Sequence, residues 1–104
     1  MARFQNGMRP VHPGEILREE YLVPLGMSAN ALAVALHVTA ARINDIVRER
    51  RSITPDTALR LARYFGGDAE IWLNLQQAFD LKTAAALHGK EIEREVSPRE
   101  LIAA

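Results

Sequence analysis

The sequence of 104 residues contains no cysteine, and aromatic side chains make up only 6% of it. Without cysteine the chain cannot form a disulfide or a thiolate metal site, so nothing in it requires an oxidising compartment, and we expect a cytoplasmic location. The scarcity of aromatic side chains argues against binding of single-stranded nucleic acid by base stacking. No apolar run approaches the roughly 20 residues that cross a bilayer, and the N-terminal segment is too polar for a signal peptide. We therefore expect a soluble protein that does not bind membranes.

The chain also lacks net charge, because its formal charge at pH 7 is +0. Taken alone, this value argues against binding to nucleic acid, since basic residues that neutralise phosphates normally dominate the affinity. The distribution of charge is more informative. Residues 28–66 contain six arginines against three acids, whereas residues 67–104 contain seven acids against four basic residues. This asymmetry favours one face for DNA and another for a different partner, although ordinary solvated helix surfaces explain it equally well.

The length and the hydrophobic content of 48% suit one domain with a modest core. Apolar spacing together with cap and turn signals predicts an all-α fold of five helices, at about 13–22, 28–36, 39–49, 54–65 and 68–87. Residues 12–88 then form the domain, residues 1–11 a flexible arm and residues 89–104 a partly ordered acidic tail.

The second and third predicted helices have the form of a helix-turn-helix. Ser28 and Thr39 are typical N-cap residues, and His37 and Val38 interrupt the apolar pattern between the two helices. The small side chain of Ala33 falls where the helices must approach closely. Such a unit, here residues 28–48, places its second helix in the major groove of duplex DNA. Any helical bundle contains similar apolar stripes, so the stripes alone do not distinguish a DNA-binding motif from an ordinary bundle. The residues on the outer face of the second helix make this distinction.

That outer face carries groups that match base edges in the major groove. Arg48 can donate two hydrogen bonds to guanine, Asn44 can form two with adenine, and Asp45 can accept one from cytosine. The methyl groups of Ala40 and Ala41 can contact thymine. Polar and basic residues at the borders of the face suit phosphates. The complete predicted DNA-binding set is Ser28, Asn30, Thr39, Ala40, Ala41, Arg42, Asn44, Asp45, Arg48, Arg50 and Arg51.

Groups for catalysis or metal binding do not assemble in the sequence. His12, His37 and His88 fall at a helix start, a turn and a distal helix end, and no two of them have the spacing of metal ligands on one helix. We expect no enzyme activity, no metal and no cofactor.

The fifth predicted helix is apolar over more than one narrow stripe. A helix of this kind has to contact something beyond its own small domain, and a second copy of the chain is the simplest partner. The predicted dimer interface consists of Trp72, Leu73, Leu75, Gln76, Phe79 and Leu81.

Several sequence motifs resemble those of a known protein family. They are HPGEIL at residues 12–17, PLGMS at 24–28, RINDIV at 42–47, ITPDTALRLA at 53–62, and FG at 65–66 followed by WLNLQ at 72–76. Over about residues 8–81 the chain resembles the HigA-type addiction-module antitoxins of the Xre and lambda-repressor-like helix-turn-helix superfamily.

The resemblance implies a five-helix lambda-repressor-like domain that binds an inverted-repeat operator as a homodimer and represses its own operon at the nucleoid. It also implies neutralisation of a HigB-type toxin, a ribosome-dependent mRNA interferase of the RelE-like fold. The chain departs from the family pattern at two places. His37 stands at a turn where glycine is common, and Arg48 with Glu49 replaces an Asn-Gly pair that often follows the recognition helix, so we expect this helix to run further.

Two other functions fit the same residues. One is a protein-interaction adaptor that no longer engages an operator, which the neutral charge and Asp45 on the outer face favour. The other is a stand-alone Xre-family transcriptional regulator without a toxin.

Overall fold

Five helices and no strand make up residues 9–100, the part of the chain that the computed structural model describes. The predicted all-α, five-helix fold is therefore confirmed. Most of the predicted arm, residues 1–8, lies outside the described residues. In the described part of the predicted arm, Arg9 pairs with Glu15 at 3.0 Å and Val11 packs against the core.

Helix α1 is continuous through Pro13–Ile16, a π-helical segment Leu17–Leu22, and Val23–Leu25. The sequence predicted an end at residue 22, because a proline inside a helix clashes with the carbonyl four residues earlier. Instead, the Val23 N–H donates to the Arg18 carbonyl, five residues back, and this wider turn accommodates Pro24. The helix ends at Gly26, which has a φ of 61°.

Helices α2, α3 and α4 span Ala29–Leu36, Ala40–Val47 and Pro55–Phe65. Each begins after a Ser or Thr whose hydroxyl accepts a hydrogen bond from a backbone N–H three residues later. Pro55 occupies the first position of α4, where no N–H is needed.

Helix α5 spans Ala69–Glu95, which is 27 residues. The predicted helix ended at residue 87, and residues 89–104 were expected to be only partly ordered. The helix runs past the predicted end, since a single glycine costs a helix only about 1 kcal/mol and good helix formers surround Gly89 on both sides. Residues 96–100 have no regular secondary structure, and residues 101–104 lie outside the described residues. The helix ends at Val96, just before Ser97 and Pro98. Its distal half accounts for the elongated shape of the molecule, which measures 55 × 28 × 25 Å.

The core lies where α1 to α4 meet the first half of α5. It is built from one or more apolar side chains of every helix, and Leu17, Leu32, Ile43, Ile46 and Leu61 are fully buried in it. Among residues 9–100, no helix is long and apolar enough to cross a membrane.

Candidate nucleic-acid interface

The turn between α2 and α3 is closed by His37 in a left-handed conformation, with φ 58° and ψ 45°. The His37 N–H donates to the Val34 carbonyl at 3.1 Å, and the Val38 N–H donates to the Ala33 carbonyl at 3.0 Å. These two bonds form a Schellman motif, which satisfies the last carbonyls of α2 and normally has glycine at the left-handed position. The chain therefore makes the tight turn of a helix-turn-helix with a histidine in place of glycine.

The two helices of the motif meet through small and branched side chains. Ala33 is buried at their crossing, as predicted, and Ile43 and Ile46 face the core. Arg60 of α4 braces the motif because its guanidinium donates to the Leu36 carbonyl at the end of α2, at 2.8 Å.

The outer side of α3 is accessible along its length. Thr39, Ala40, Ala41 and Arg48 are exposed, while Asn44 is half-buried. Helical projection placed Ala41, Asn44, Asp45 and Arg48 opposite the core; Ala41 and Arg48 are exposed there, and Asn44 and Asp45 are half-buried.

Asn44 is held in place by two hydrogen bonds. Its side-chain N–H₂ group donates to Asn30 Oδ1 at 2.8 Å and to the Ala40 carbonyl at 2.8 Å. The bond to Asn30 joins the exposed sides of α2 and α3. Asn44 is thus fixed on the outer face before any ligand binds.

Arg42 does not point to the outer face of α3. Its guanidinium pairs with Asp56 in the first turn of α4 at 2.7 Å and approaches the Thr57 hydroxyl at 3.4 Å. Arg60 pairs with the same carboxylate at 2.9 Å. Hydrogen bonds from Arg60 and then Arg42 hold the pKa of Asp56 below its usual value. The structure therefore gives Arg42 a bracing contact with α4, whereas the sequence assigned it to DNA.

Helix α3 ends at Val47, two residues earlier than predicted. Glu49 takes the left-handed position with a φ of 64°, and the Arg50 N–H donates to the Asp45 carbonyl at 2.8 Å. The expectation that α3 runs further without Asn-Gly is wrong, because Glu49 adopts the conformation that glycine usually supplies. Arg48 consequently lies at the helix end and Arg50 in the loop beyond it.

All four terminal carbonyls of α3 find donors. The N–H groups of the loop take three of them, and the Arg18 guanidinium of α1 donates to the fourth, the Val47 carbonyl. The carbonyls are those of Asn44, Asp45, Ile46 and Val47. Because a helix leaves its last carbonyls without partners inside the helix, these four bonds fix the carboxyl end of α3.

Gly14 permits the close contact between α1 and α3. A Cβ atom at this position would lie 1.8 Å from the Ile46 carbonyl oxygen, so no larger residue fits. Neither this role of Gly14 nor that of Arg18 was predicted from the sequence. The sequence did contain a signal for Gly14. The backbone in the first turn of a helix does not have a left-handed φ, so a glycine at this position indicates a close contact with another part of the chain. Nothing in the sequence pointed from Arg18 to a carbonyl 29 residues later.

Basic side chains gather in the loop after α3. Arg51 pairs with Asp45 at 3.4 Å, and Glu49 lies 3.6 Å from Arg18. Neither Arg48 nor Arg50 pairs with an acid in the described part of the chain, and both are exposed. These two guanidinium groups are available to phosphates or base edges.

The predicted dimer residues divide into two groups. Trp72 and Gln76 are buried inside the subunit, at 4% and 5% exposure, because they face α1 and the segment before α4. Their assignment to a dimer interface is wrong on this geometry. Leu73, Leu75 and Phe79 are half-buried, and the Leu81 side chain is exposed.

Within residues 9–100, no three His, Asp or Glu side chains converge in a way that could hold a metal ion. His12 is buried and caps α1 by accepting a hydrogen bond from the Gly14 N–H at 2.8 Å, while His37 and His88 are exposed at separate places.

Comparison with known proteins assigns the fold to a family. Residues 17–72 match the family model described as helix-turn-helix. A Pseudomonas aeruginosa antitoxin HigA, solved with the higBA promoter, superposes with a TM-score of 0.86 at 53% identity, over 88% of this chain and 100% of that one. The chain belongs to the helix-turn-helix family of HigA-type antitoxins.

Two further relatives of this HigA-type chain are informative. The antitoxin GraA in complex with its operator superposes with a TM-score of 0.84 at 52% identity, over 95% of this chain and 98% of that one. Virulence-associated protein I of Dichelobacter nodosus is 70% identical over 80 residues, covering 77% of this chain and 74% of the relative. HigA-type antitoxins are DNA-binding regulators and not enzymes, in agreement with the sequence analysis.

Proposed function

We propose that this HigA-type antitoxin binds an inverted-repeat operator as a homodimer, represses its own operon and neutralises a HigB-type toxin. The observation that carries the proposal is the exposed outer face of α3, ending in the unpaired Arg48 and Arg50, on a helix whose two ends are already fixed. The relatives solved with promoter or operator DNA support it.

The side chains divide into base-reading and phosphate-contacting groups. In this proposal Arg48 reads guanine, Asp45 accepts from cytosine, and the methyl groups of Ala40 and Ala41 contact thymine. Phosphates are met by the N-termini of α2 and α3 and by the loop, through Ser28, Asn30, Thr39, Arg50 and Arg51. Arg42 contributes indirectly, because its ion pair with Asp56 keeps α3 seated on α4.

Helix α5 is the proposed dimer element. Leu81, Leu87 and Ile92 are 70%, 70% and 53% exposed on it. Leu81 and Ile92, together with Ala78, Ala85 and His88, recur at intervals of three and four residues, the spacing that packs one helix against another. A two-fold dimer would set the two recognition helices about 34 Å apart on one face of the DNA.

The proposed dimer is tested by multi-angle light scattering at micromolar concentration. A monomeric mass would contradict the proposed dimer, and Leu81→Glu is expected to convert the dimer into monomers.

DNA binding is tested with a duplex covering the region upstream of the reading frame, by fluorescence anisotropy at about 50 and 200 mM salt. We expect specific binding that weakens with salt. Arg48→Ala should cost about 1 to 3 kcal/mol of affinity and relax specificity, while Arg51→Ala should weaken all duplexes similarly. The control is Arg94→Ala, which removes an exposed arginine at the far end of α5. Absence of binding at low salt would favour the adaptor function instead.

Toxin neutralisation rests on the family resemblance and on charge. Glu91, Glu93 and Glu95 lie on the exposed distal part of α5, where a basic RNA-cleaving partner could dock. Co-purification with the product of the adjacent reading frame, and rescue of growth when both are expressed, are the expected results. A chromosomal neighbourhood without a small basic protein would favour the stand-alone regulator.

A further inference from the structure

The hydrogen-bonding state of Asn44 restricts what this residue can read. A carboxamide offers two N–H donors and one carbonyl oxygen with two lone pairs. Both Asn44 donors are already used, one by Asn30 Oδ1 and one by the Ala40 carbonyl, each at 2.8 Å. Among residues 9–100, no donor contacts Asn44 Oδ1. Asn44 therefore faces its ligand as an acceptor.

An asparagine needs one free donor and one free acceptor to bind adenine in the usual two-bond arrangement, since it must accept from N6–H and donate to N7. With both donors engaged, Asn44 can accept one hydrogen bond from an amino group but cannot approach N7. Amino groups in the major groove are carried by adenine at N6 and by cytosine at N4, whereas guanine and thymine present only acceptors and a methyl group there.

We propose that Asn30 is a specificity-determining residue that acts through Asn44 without contacting a base. By taking one Asn44 donor, Asn30 turns the expected adenine reader into a reader of amino groups, which accepts adenine or cytosine on the contacted strand and rejects guanine and thymine. This inference rests on the proposed DNA-binding role of α3 and refines the specificity of that same site.

The contact between the two residues has the geometry that this role requires. Asn30 lies in the first turn of α2 and is exposed, so its bond to Asn44 crosses the open side of the helix-turn-helix. The bond from Asn44 to the Ala40 carbonyl lies within α3 and does not depend on Asn30. Loss of the Asn30 side chain therefore releases one Asn44 donor while the other bond holds the carboxamide in place.

The experiment is selection of duplexes from a random library by the purified full chain, followed by sequencing. Four proteins are compared with the wild type: Asn30→Ala, Asn44→Ala, Asn44→Asp and the control Asn74→Ala, an exposed asparagine on α5. The position read by Asn44 is the one whose base preference disappears in Asn44→Ala. Circular dichroism establishes that each variant is folded.

At that position the wild type should select adenine and cytosine to similar extents. Asn30→Ala should select adenine over cytosine by roughly fivefold or more, the lower end of what one two-bond contact contributes. Asn44→Asp, which can only accept, should still reject guanine and thymine, and Asn74→Ala should match the wild type.

Three results would overturn the inference. They are an adenine-only preference that is identical in wild type and Asn30→Ala, acceptance of guanine or thymine by Asn44→Asp, and an Asn44→Ala variant that changes no position. Failure of the wild type to enrich any duplex is a different result, because it refutes the proposed function and takes the inference with it.

Discussion

Gln76 Oε1 accepts a hydrogen bond from the Ile53 backbone N–H at 2.8 Å. Both residues are buried, and the Gln76 side-chain N–H₂ group is itself held by Asp80 at 3.0 Å. The bond ties α5 to the segment that leads from the basic loop into α4. It explains a polar side chain in the middle of an apolar helix face, which sequence analysis assigned to a dimer interface.

Gln76→Ala should destabilise the protein by about 1 to 3 kcal/mol, because the Ile53 N–H would remain buried without an acceptor. Urea unfolding followed by circular dichroism measures the change. Gln77→Ala is the matched control, since the neighbouring glutamine is exposed and its removal should change the free energy of unfolding by less than about 0.5 kcal/mol. Equal effects from the two variants would refute the role of the bond.

Gly14→Ala should destabilise by about 1 to 3 kcal/mol or more, because its methyl group overlaps the Ile46 carbonyl and has to push α1 away from α3. Gly89→Ala provides the opposite case. This glycine lies within α5 with open space around its Cα, so alanine should stabilise the helix by about 0.5 to 1 kcal/mol. Thermal unfolding of both variants is the measurement, and melting temperatures that shift in the same direction would contradict the assignment.

His37→Gly should stabilise the protein by about 0.5 to 1 kcal/mol. A left-handed backbone costs a non-glycine residue about 1 to 2 kcal/mol, and the gain in chain entropy of the unfolded state offsets part of the relief. Ala35→Gly, two residues earlier inside α2, should instead destabilise by about 1 kcal/mol. Chemical denaturation of the pair tests the conformation of the turn directly.

The pH dependence of stability should report on His12. Burial lowers the pKa of His12 from its ordinary value of 6.5, against smaller opposing effects of Glu49 and Asp80. Because the folded state disfavours the protonated ring, its contribution to stability is complete above pH 6.5 and is lost as the pH falls through the lowered pKa. Protonation would also remove the Nδ1 acceptor that caps α1.

We therefore expect the free energy of unfolding to fall as the pH drops below about 6.5, and to fall less steeply in His12→Asn, which keeps a capping acceptor but does not titrate. His88→Asn, at an exposed position, should retain the wild-type slope. An unchanged slope in His12→Asn would assign the pH dependence to other groups.

Local signals were sufficient to predict most of the architecture. Ser28, Thr39 and Thr54 begin their helices where expected, because an N-cap depends on only a few neighbouring residues. The outer face of α3 followed from helical periodicity in the same way. The predicted end of helix α3 was wrong, since the helix stops at Val47 where the following backbone adopts a left-handed conformation that non-glycine residues do not favour.

The errors at the site arise from contacts between residues far apart in the sequence. The Arg18 bond to the Val47 carbonyl spans 29 residues, and the Gln76 bond to Ile53 spans 23. Composition and periodicity contain no information on such pairs. Arg42 was misassigned for a related reason, since its orientation depends on where α4 places Asp56.

The fixed carboxyl end of α3 has a thermodynamic consequence. With each of its last carbonyls already satisfied by a protein donor, this helix has no turn left to order when it enters a groove. Association with DNA should then proceed without a coupled folding step in α3. The heat-capacity change of association should therefore contain no contribution from folding of this helix and should reflect only the surface buried between the protein and the DNA.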